Sequence, residues 1–204
     1  MPAPLKLIVG LGNPGPEHAD TRHNAGFWFL DRLADKFGVA FTADNKLFGL
    51  QARLHYGGNQ IRLFKPTTYM NDSGRAVQAI SSYFHIPAEE ILVVHDEIDL
   101  EPGTVRLKRG GGHAGHNGVR DIISMIGSSN FNRLRIGVGH PGAKDKVIGS
   151  VLGRPSRSEK KLIDEAIDGA LELIPALLDG KFEKVMTQLH KSNKQQATSN
   201  KNEE

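Results

Sequence analysis

The stretch Leu5-Lys6-Leu7-Ile8-Val9-Gly10-Leu11-Gly12-Asn13-Pro14-Gly15-Pro16 decides how the rest of the chain is read. Leu5 to Leu11 is a short apolar run broken by glycine, the pattern of a buried first strand. Gly12 to Pro16 can continue neither a strand nor a helix. A helix follows: after the cap candidates Thr21 and Asn24, Phe27, Leu30, Leu33, Ala34 and Phe37 recur at helical spacing until Gly38 stops them. A buried strand, a polar loop and an amphipathic helix form the opening unit of an α/β chain.

The pattern repeats outward from this unit. Strands are expected over Leu50–Tyr56 and Gln60–Lys65, flanking the hairpin signal Gly57-Gly58-Asn59. A helix from Ser73 to Phe84 carries Val77, Ile80 and Phe84 on one face. Ile91 to His95 reads as a second buried strand, running into the polar His95-Asp96-Glu97. Thr104–Lys108 is a strand leading into Gly110-Gly111-Gly112-His113-Ala114-Gly115-His116-Asn117-Gly118. Three consecutive glycines have high chain entropy, so something must order that loop or exploit its mobility. A helix bearing Val119, Ile122, Ile123 and Ile126 follows, then a strand over Leu134–Val138.

Residues 139–157, rich in Gly, Pro and Lys/Arg, read as a mobile surface loop or lid with a short helix. An amphipathic helix runs from Ser158 to about Leu178, its last turns bent or interrupted at Pro175, and a short helix covers about Phe182 to His190. The fold class is therefore α/β: a single domain, residues 1–190, with a central twisted mixed β-sheet surrounded by α-helices. Residues 191–204 are expected to be a polar, disordered tail.

Composition narrows the function classes. Hydrophobic residues at 38% and charged residues at 24% fit a globular protein. No run approaches the roughly 18 apolar residues of a membrane span, and the N-terminus lacks the basic and apolar regions of a secretory signal. No membrane partner and a cytoplasmic location are the expectation. The absence of cysteine excludes disulfides, thiolate nucleophiles and cysteine-ligated zinc. Residues 101–157 hold ten Lys or Arg against three Asp or Glu, while the remainder holds sixteen against twenty. A basic zone on an otherwise slightly acidic chain suits either an anionic partner or a solvated face.

His23, where a loop becomes a helix, is the best general-base candidate, and Asp96 at a strand end could orient its ring. No serine has the surroundings of a nucleophile elbow, so water is the natural nucleophile. Asn13, Asn71 and Asn117 stand at element boundaries, where each alone fits a cap or turn and together they could hold a peptide backbone. The spacing Gly10-x-Gly12-x-x-Gly15 mimics a dinucleotide fingerprint, but Pro14 and Pro16 interrupt the required turn into a helix. His113 and His116 with Asp96 or Glu97 could be offered as metal ligands, but histidines in a glycine loop do not specify a site, and no metal is expected.

Read together, six motifs resemble the bacterial peptidyl-tRNA hydrolase family over about residues 5–190. They are Gly10-Leu11-Gly12-Asn13-Pro14-Gly15, Thr21-Arg22-His23-Asn24-Ala25-Gly26, Pro66-Thr67-Thr68-Tyr69-Met70-Asn71-x-x-Gly74, His95-Asp96-Glu97-x-Asp99, Gly110-Gly111-Gly112-His113-x-x-His116-Asn117-Gly118 and Arg133-Leu134-Arg135-Ile136-Gly137-x-Gly139-His140-Pro141. The resemblance implies a monomer without an obligate protein partner, and metal-independent, cofactor-free hydrolysis of peptidyl-tRNA. It implies His23 as catalytic base and Asp96 as its orienting partner. Asn13, Asn71, Asn117, Met70, Tyr69, His116 and His18 become substrate-binding positions around the 3′ acceptor end. Lys108 and Arg135 become the pair that clamps the tRNA 5′-phosphate. Two positions depart from the family: His18 stands where an aromatic residue is common, and Arg109 stands where an apolar one is frequent, adding positive charge beside Lys108. The same residues leave two rivals, a small-substrate esterase or amidase and a non-enzymatic RNA-binding module.

Overall fold

The computed structural model describes residues 2–200. Its seven strands are β1 (Leu7–Gly10), β2 (Thr42–Asp44), β3 (Gly49–Tyr56), β4 (Asn59–Pro66), β5 (Ile91–Glu97), β6 (Val105–Arg109) and β7 (Asn132–Gly137). They form one mixed sheet in the order β2-β3-β4-β1-β5-β7-β6. β1 lies parallel between β4 and β5, and β5 is parallel to β7. β2, β3 and β4 pair antiparallel on one side, and β6 closes the other side antiparallel to β7.

Helices cover both faces, because each central strand is apolar on both. Ile8, Leu92 and Val94 pack beneath α1 (Ala25–Phe37), α5 (Arg157–Leu171), α6 (Ile174–Leu178) and α7 (Phe182–Asn200). Leu7, Val9 and Val93 pack on the other face beneath α2 (Ser73–Tyr83) and α3 (Asn117–Ile126). α1 leaves β1 over one face and α2 leaves β4 over the other, so the chain reverses direction across the sheet at β1. The carboxyl ends of β1 and β5 lie side by side there, the position at which α/β sheets bind ligands.

Most expected elements are present, with informative differences. β2 was not anticipated, being only three residues long and polar. β5 continues past His95 to Glu97, placing Asp96 inside the strand. Pro175 does interrupt the long amphipathic helix, giving α5 and α6. The helix expected to end at His190 runs on to Asn200, because 191–200 contains no glycine or proline to break a helix already anchored by Phe182, Val185 and Leu189. The expected tail is therefore helical over that range, and residues 201–204 lie outside the described residues. Within residues 139–157 a turn at Lys144–Lys146 leads into α4 (Val147–Val151).

Candidate active site

Two glycines allow the site to assemble. A Cβ on Gly26 would collide with the backbone of Val94 and Leu11, and one on Gly10 with the backbone of Gly26. The start of α1 is thereby drawn against β1 and β5, and the single 3₁₀ turn Arg22–Asn24 before it sets His23 onto Asp96.

Both side chains are nearly closed to solvent, His23 at 8% and Asp96 at 2% exposure. His23 Nδ1–H donates to both carboxylate oxygens, at 2.9 and 3.0 Å. The neutral ring therefore carries its lone pair on Nε2. A second imidazole completes the carboxylate. His116 caps α3 by accepting the Val119 N–H on Nδ1 at 3.3 Å, which puts its proton on Nε2, and Nε2–H donates to Asp96 Oδ1 at 2.8 Å. Beneath them His95, wholly buried, donates from Nδ1 to the Asp96 backbone carbonyl at 2.7 Å. Its ring stands edge-on to His116, with centroids 4.7 Å apart.

Electrostatics follow from this packing. Burial opposes a charged His23, but the charge and hydrogen bond of Asp96 outweigh it and hold the ring above the ordinary imidazole value of 6.5. Burial likewise opposes an ionised Asp96, yet the two imidazoles keep its carboxyl well below the usual carboxylate range. His95 is pushed well below the ordinary value by burial, helped by His116 and Arg133, and stays neutral. The ligand-capable atoms of His23, Asp96 and His116 lie within 4.8 Å of one another, the one grouping of metal-binding type found among the described residues. It is not the His113–His116 pairing considered from sequence, since His113 Nδ1 accepts from the Gly115 N–H instead. Two imidazole N–H groups already satisfy the carboxylate, so the arrangement needs no ion to be stable.

Asn13 sits where β1 ends. Its Oδ1 accepts the Met70 N–H at 2.7 Å, which leaves its amide nitrogen as an available donor. Asn24 fixes it from behind: Oδ1 accepts the Asn13 N–H at 2.8 Å and Nδ2 donates to the Asn13 carbonyl at 3.0 Å. Asn71 follows Met70 on the turn Met70–Asp72 and is exposed, while Asn117 opens α3 and is half-buried. The two elements meet where Met70 Sδ covers Gly118. Tyr69, 61% exposed, and His18 stand edge-on with ring centroids 6.4 Å apart.

Lys108 and Arg135 lie across the β6–β7 pair, with Arg135 opposite His95 on β5. Glu97, the residue after Asp96, accepts from Arg135 Nε at 3.1 Å. Arg109 does not join them. Strand alternation turns it to the other face, where its guanidinium lies 3.8 Å from the Phe182 ring and 3.9 Å from the Glu183 carboxylate. Three residues of the site gave no sequence signal of their role: Asn24, which reads as a helix cap but makes no capping bond, and the buried His95 and Arg133.

The fold and this cluster define an α/β protein with an imidazole held by a carboxylate. A sequence profile of the family described as "Peptidyl-tRNA hydrolase" matches residues 7–198. The peptidyl-tRNA hydrolases of Azotobacter vinelandii and Erwinia tasmaniensis are 54% and 53% identical to it over 187 residues, spanning 91% of this chain and 96% of each relative. The crystal structure of peptidyl-tRNA hydrolase from Acinetobacter baumannii is 51% identical and superposes with a TM-score of 0.88, covering 91% of this chain and 94% of that one. This chain belongs to the peptidyl-tRNA hydrolase family.

Proposed function

We infer that the protein hydrolyses the ester that joins a peptidyl group to the 3′-terminal ribose of tRNA, using water activated by His23. The observation that carries this reading is the His23–Asp96 geometry in a chain of this family: both carboxylate oxygens take the Nδ1–H, and Nε2 is left free to accept a proton. His23 Nε2 removes a proton from water as the oxygen attacks the ester carbonyl, and Asp96 stabilises the imidazolium that forms. The tetrahedral intermediate collapses, the C–O bond to the ribose breaks, and the imidazolium returns its proton to the leaving ribose oxygen. Free peptide acid and tRNA are the products. General-base action of this kind contributes about 10²- to 10⁴-fold in rate.

The remaining residues position the substrate. The Asn13 amide donor, held by Met70 and Asn24, suits a peptide carbonyl or the developing oxyanion. The side chains of Asn71 and Asn117 have no hydrogen-bond partner among the described residues and are free to bind peptide groups or water. Met70 forms the apolar wall, His116 holds Asp96, and His18 with Tyr69 offers ring faces for the 3′-terminal base. Lys108 and Arg135 anchor the tRNA 5′-phosphate. The protein acts as a monomer and needs no cofactor. An unblocked aminoacyl-tRNA brings a charged amine where these asparagines expect a peptide group, and unpaired polar contacts reduce its turnover. Single-turnover cleavage of N-acetyl-aminoacyl-tRNA should exceed that of the unblocked form by at least about tenfold, the worth of one lost polar contact. Equal rates, or faster hydrolysis of small esters, would favour the small-substrate esterase instead.

A further inference from the structure

Arg133 is the largest fully buried side chain among the described residues, at 2% exposure. It has no ion-pair partner there. Its Nη2 donates to the Gly110 carbonyl at 3.3 Å, while Nε and Nη1 are enclosed with no hydrogen-bond partner. A fully charged guanidinium is rarely left in this state, because burying it uncompensated is costly. In register it stands directly opposite Lys108, and like charges so placed destabilise a sheet. Lys108 itself makes no ion pair or hydrogen bond among the described residues. Burial, Arg133 and Arg135 all push its ammonium below the ordinary lysine value, with Glu97 opposing.

These cations converge on bare backbone. A Cβ built on Gly111 would lie 2.8 Å from Lys108 Nζ and 3.6 Å from Arg133 Nη2, so both reach the same spot on the glycine-rich loop. Gly111 has φ 90 and Gly110 φ 60, conformations that leave this backbone without a side chain. Around that spot stand three cations, Lys108, Arg133 and Arg135, and one carboxylate, Glu97, already bonded to Arg135. The local balance is two positive charges. A phosphodiester carries one negative charge, and a terminal phosphate monoester carries about −1.5 to −2 near pH 7.

We propose that Arg133 is a specificity-determining residue of the phosphate site: as the third, buried cation it tunes the site to a doubly charged phosphate monoester, a 5′ terminus, over a singly charged diester along the backbone. Lys108 and Arg135 without it would leave one net positive charge, suited to any backbone phosphate. Arg133 acts through the field it places at Gly111 and through its hold on the Gly110 carbonyl, which fixes the loop over Lys108. This inference rests on the 5′-phosphate anchoring proposed above.

The test uses the full-length protein and one N-blocked aminoacyl-tRNA prepared with a 5′-monophosphate, with that phosphate methylated to a monoanionic diester, or with a 5′-hydroxyl. Wild type should show its lowest KM with the monophosphate, by about tenfold over the methylated form, the worth of one charge-assisted contact. Arg133→Gln should bring those two KM values together while keeping the methylated form ahead of the hydroxyl form. A wild type indifferent between monophosphate and hydroxyl overturns the anchoring itself. A wild type that prefers the monophosphate, with Arg133→Gln keeping the whole preference, overturns the role of Arg133 alone. Should the variant not fold, the wild-type Arg133 Nε–H resonance decides: it shifts on titration with a 5′-phosphorylated acceptor-stem duplex and stays fixed with the methyl-capped one. Identical responses to the two duplexes contradict the proposal.

Discussion

At the residue scale the chemistry depends on how one carboxylate is shared. Asp96 accepts from His23 and from His116, so part of its charge is drawn away from the base. The form of His23 that accepts a proton is neutral, and its pKa is raised, so activity should rise with pH through a limb centred above 6.5. Replacing His116 with alanine leaves Asp96 to His23 alone and makes that ring more basic. The limb of the pH–rate profile should then move to higher pH, and a limb that stays put or moves down would contradict the shared-carboxylate account. His23 and Asp96 were legible in the sequence because each stood at a predicted element boundary with the right chemistry. Asn24 was legible only as a cap, since nothing local reveals that its amide reaches eleven residues back to both backbone groups of Asn13. His95 read as an ordinary strand residue and Arg133 as the residue before a strand, and only the strand pairing shows the two on one sheet face.

At the element scale the site exists because the start of α1 approaches two strands without intervening side chains. Gly26 is the contact point, with the Val94 and Leu11 backbone where a Cβ would lie. Gly26→Ala should destabilise the fold by about 1–3 kcal/mol, the usual cost of overpacking, and reduce turnover by displacing His23 from Asp96. Chemical denaturation with parallel kinetics checks both, and unchanged stability would mean the approach is looser than described. The α/β alternation, the hairpin at Gly57-Gly58 and the break at Pro175 were readable because periodicity and breakers are local signals. β2 and the long α7 were not. A three-residue polar strand has no periodicity to detect, and a polar sequence without breakers fits a helix or a loop equally well until its first turns dock on the sheet.

At the scale of the whole molecule, the chemistry and the tRNA anchoring proposed above fall on adjacent but separate parts of one sheet. The base stands at the carboxyl ends of β1 and β5, and the cations stand on the outer pair β6–β7, linked to the base along β5 through Asp96 and Glu97. The excess of cations within 101–157 was visible in the sequence, but composition could not show that Arg109 leaves the cluster for Phe182 or that Arg133 enters it. Binding should weaken with salt, and Lys108→Ala should reduce the slope of log affinity against log salt by about 1. An unchanged slope would remove Lys108 from the phosphate contacts. Because the two parts are separate, His23 can be tested apart from binding, with tRNA binding and single-turnover cleavage of N-acetyl-aminoacyl-tRNA measured side by side for wild type and His23→Ala. His23→Ala should bind tRNA nearly as wild type does and cleave at least about a hundredfold more slowly, and cleavage at the wild-type rate would contradict His23 as the base.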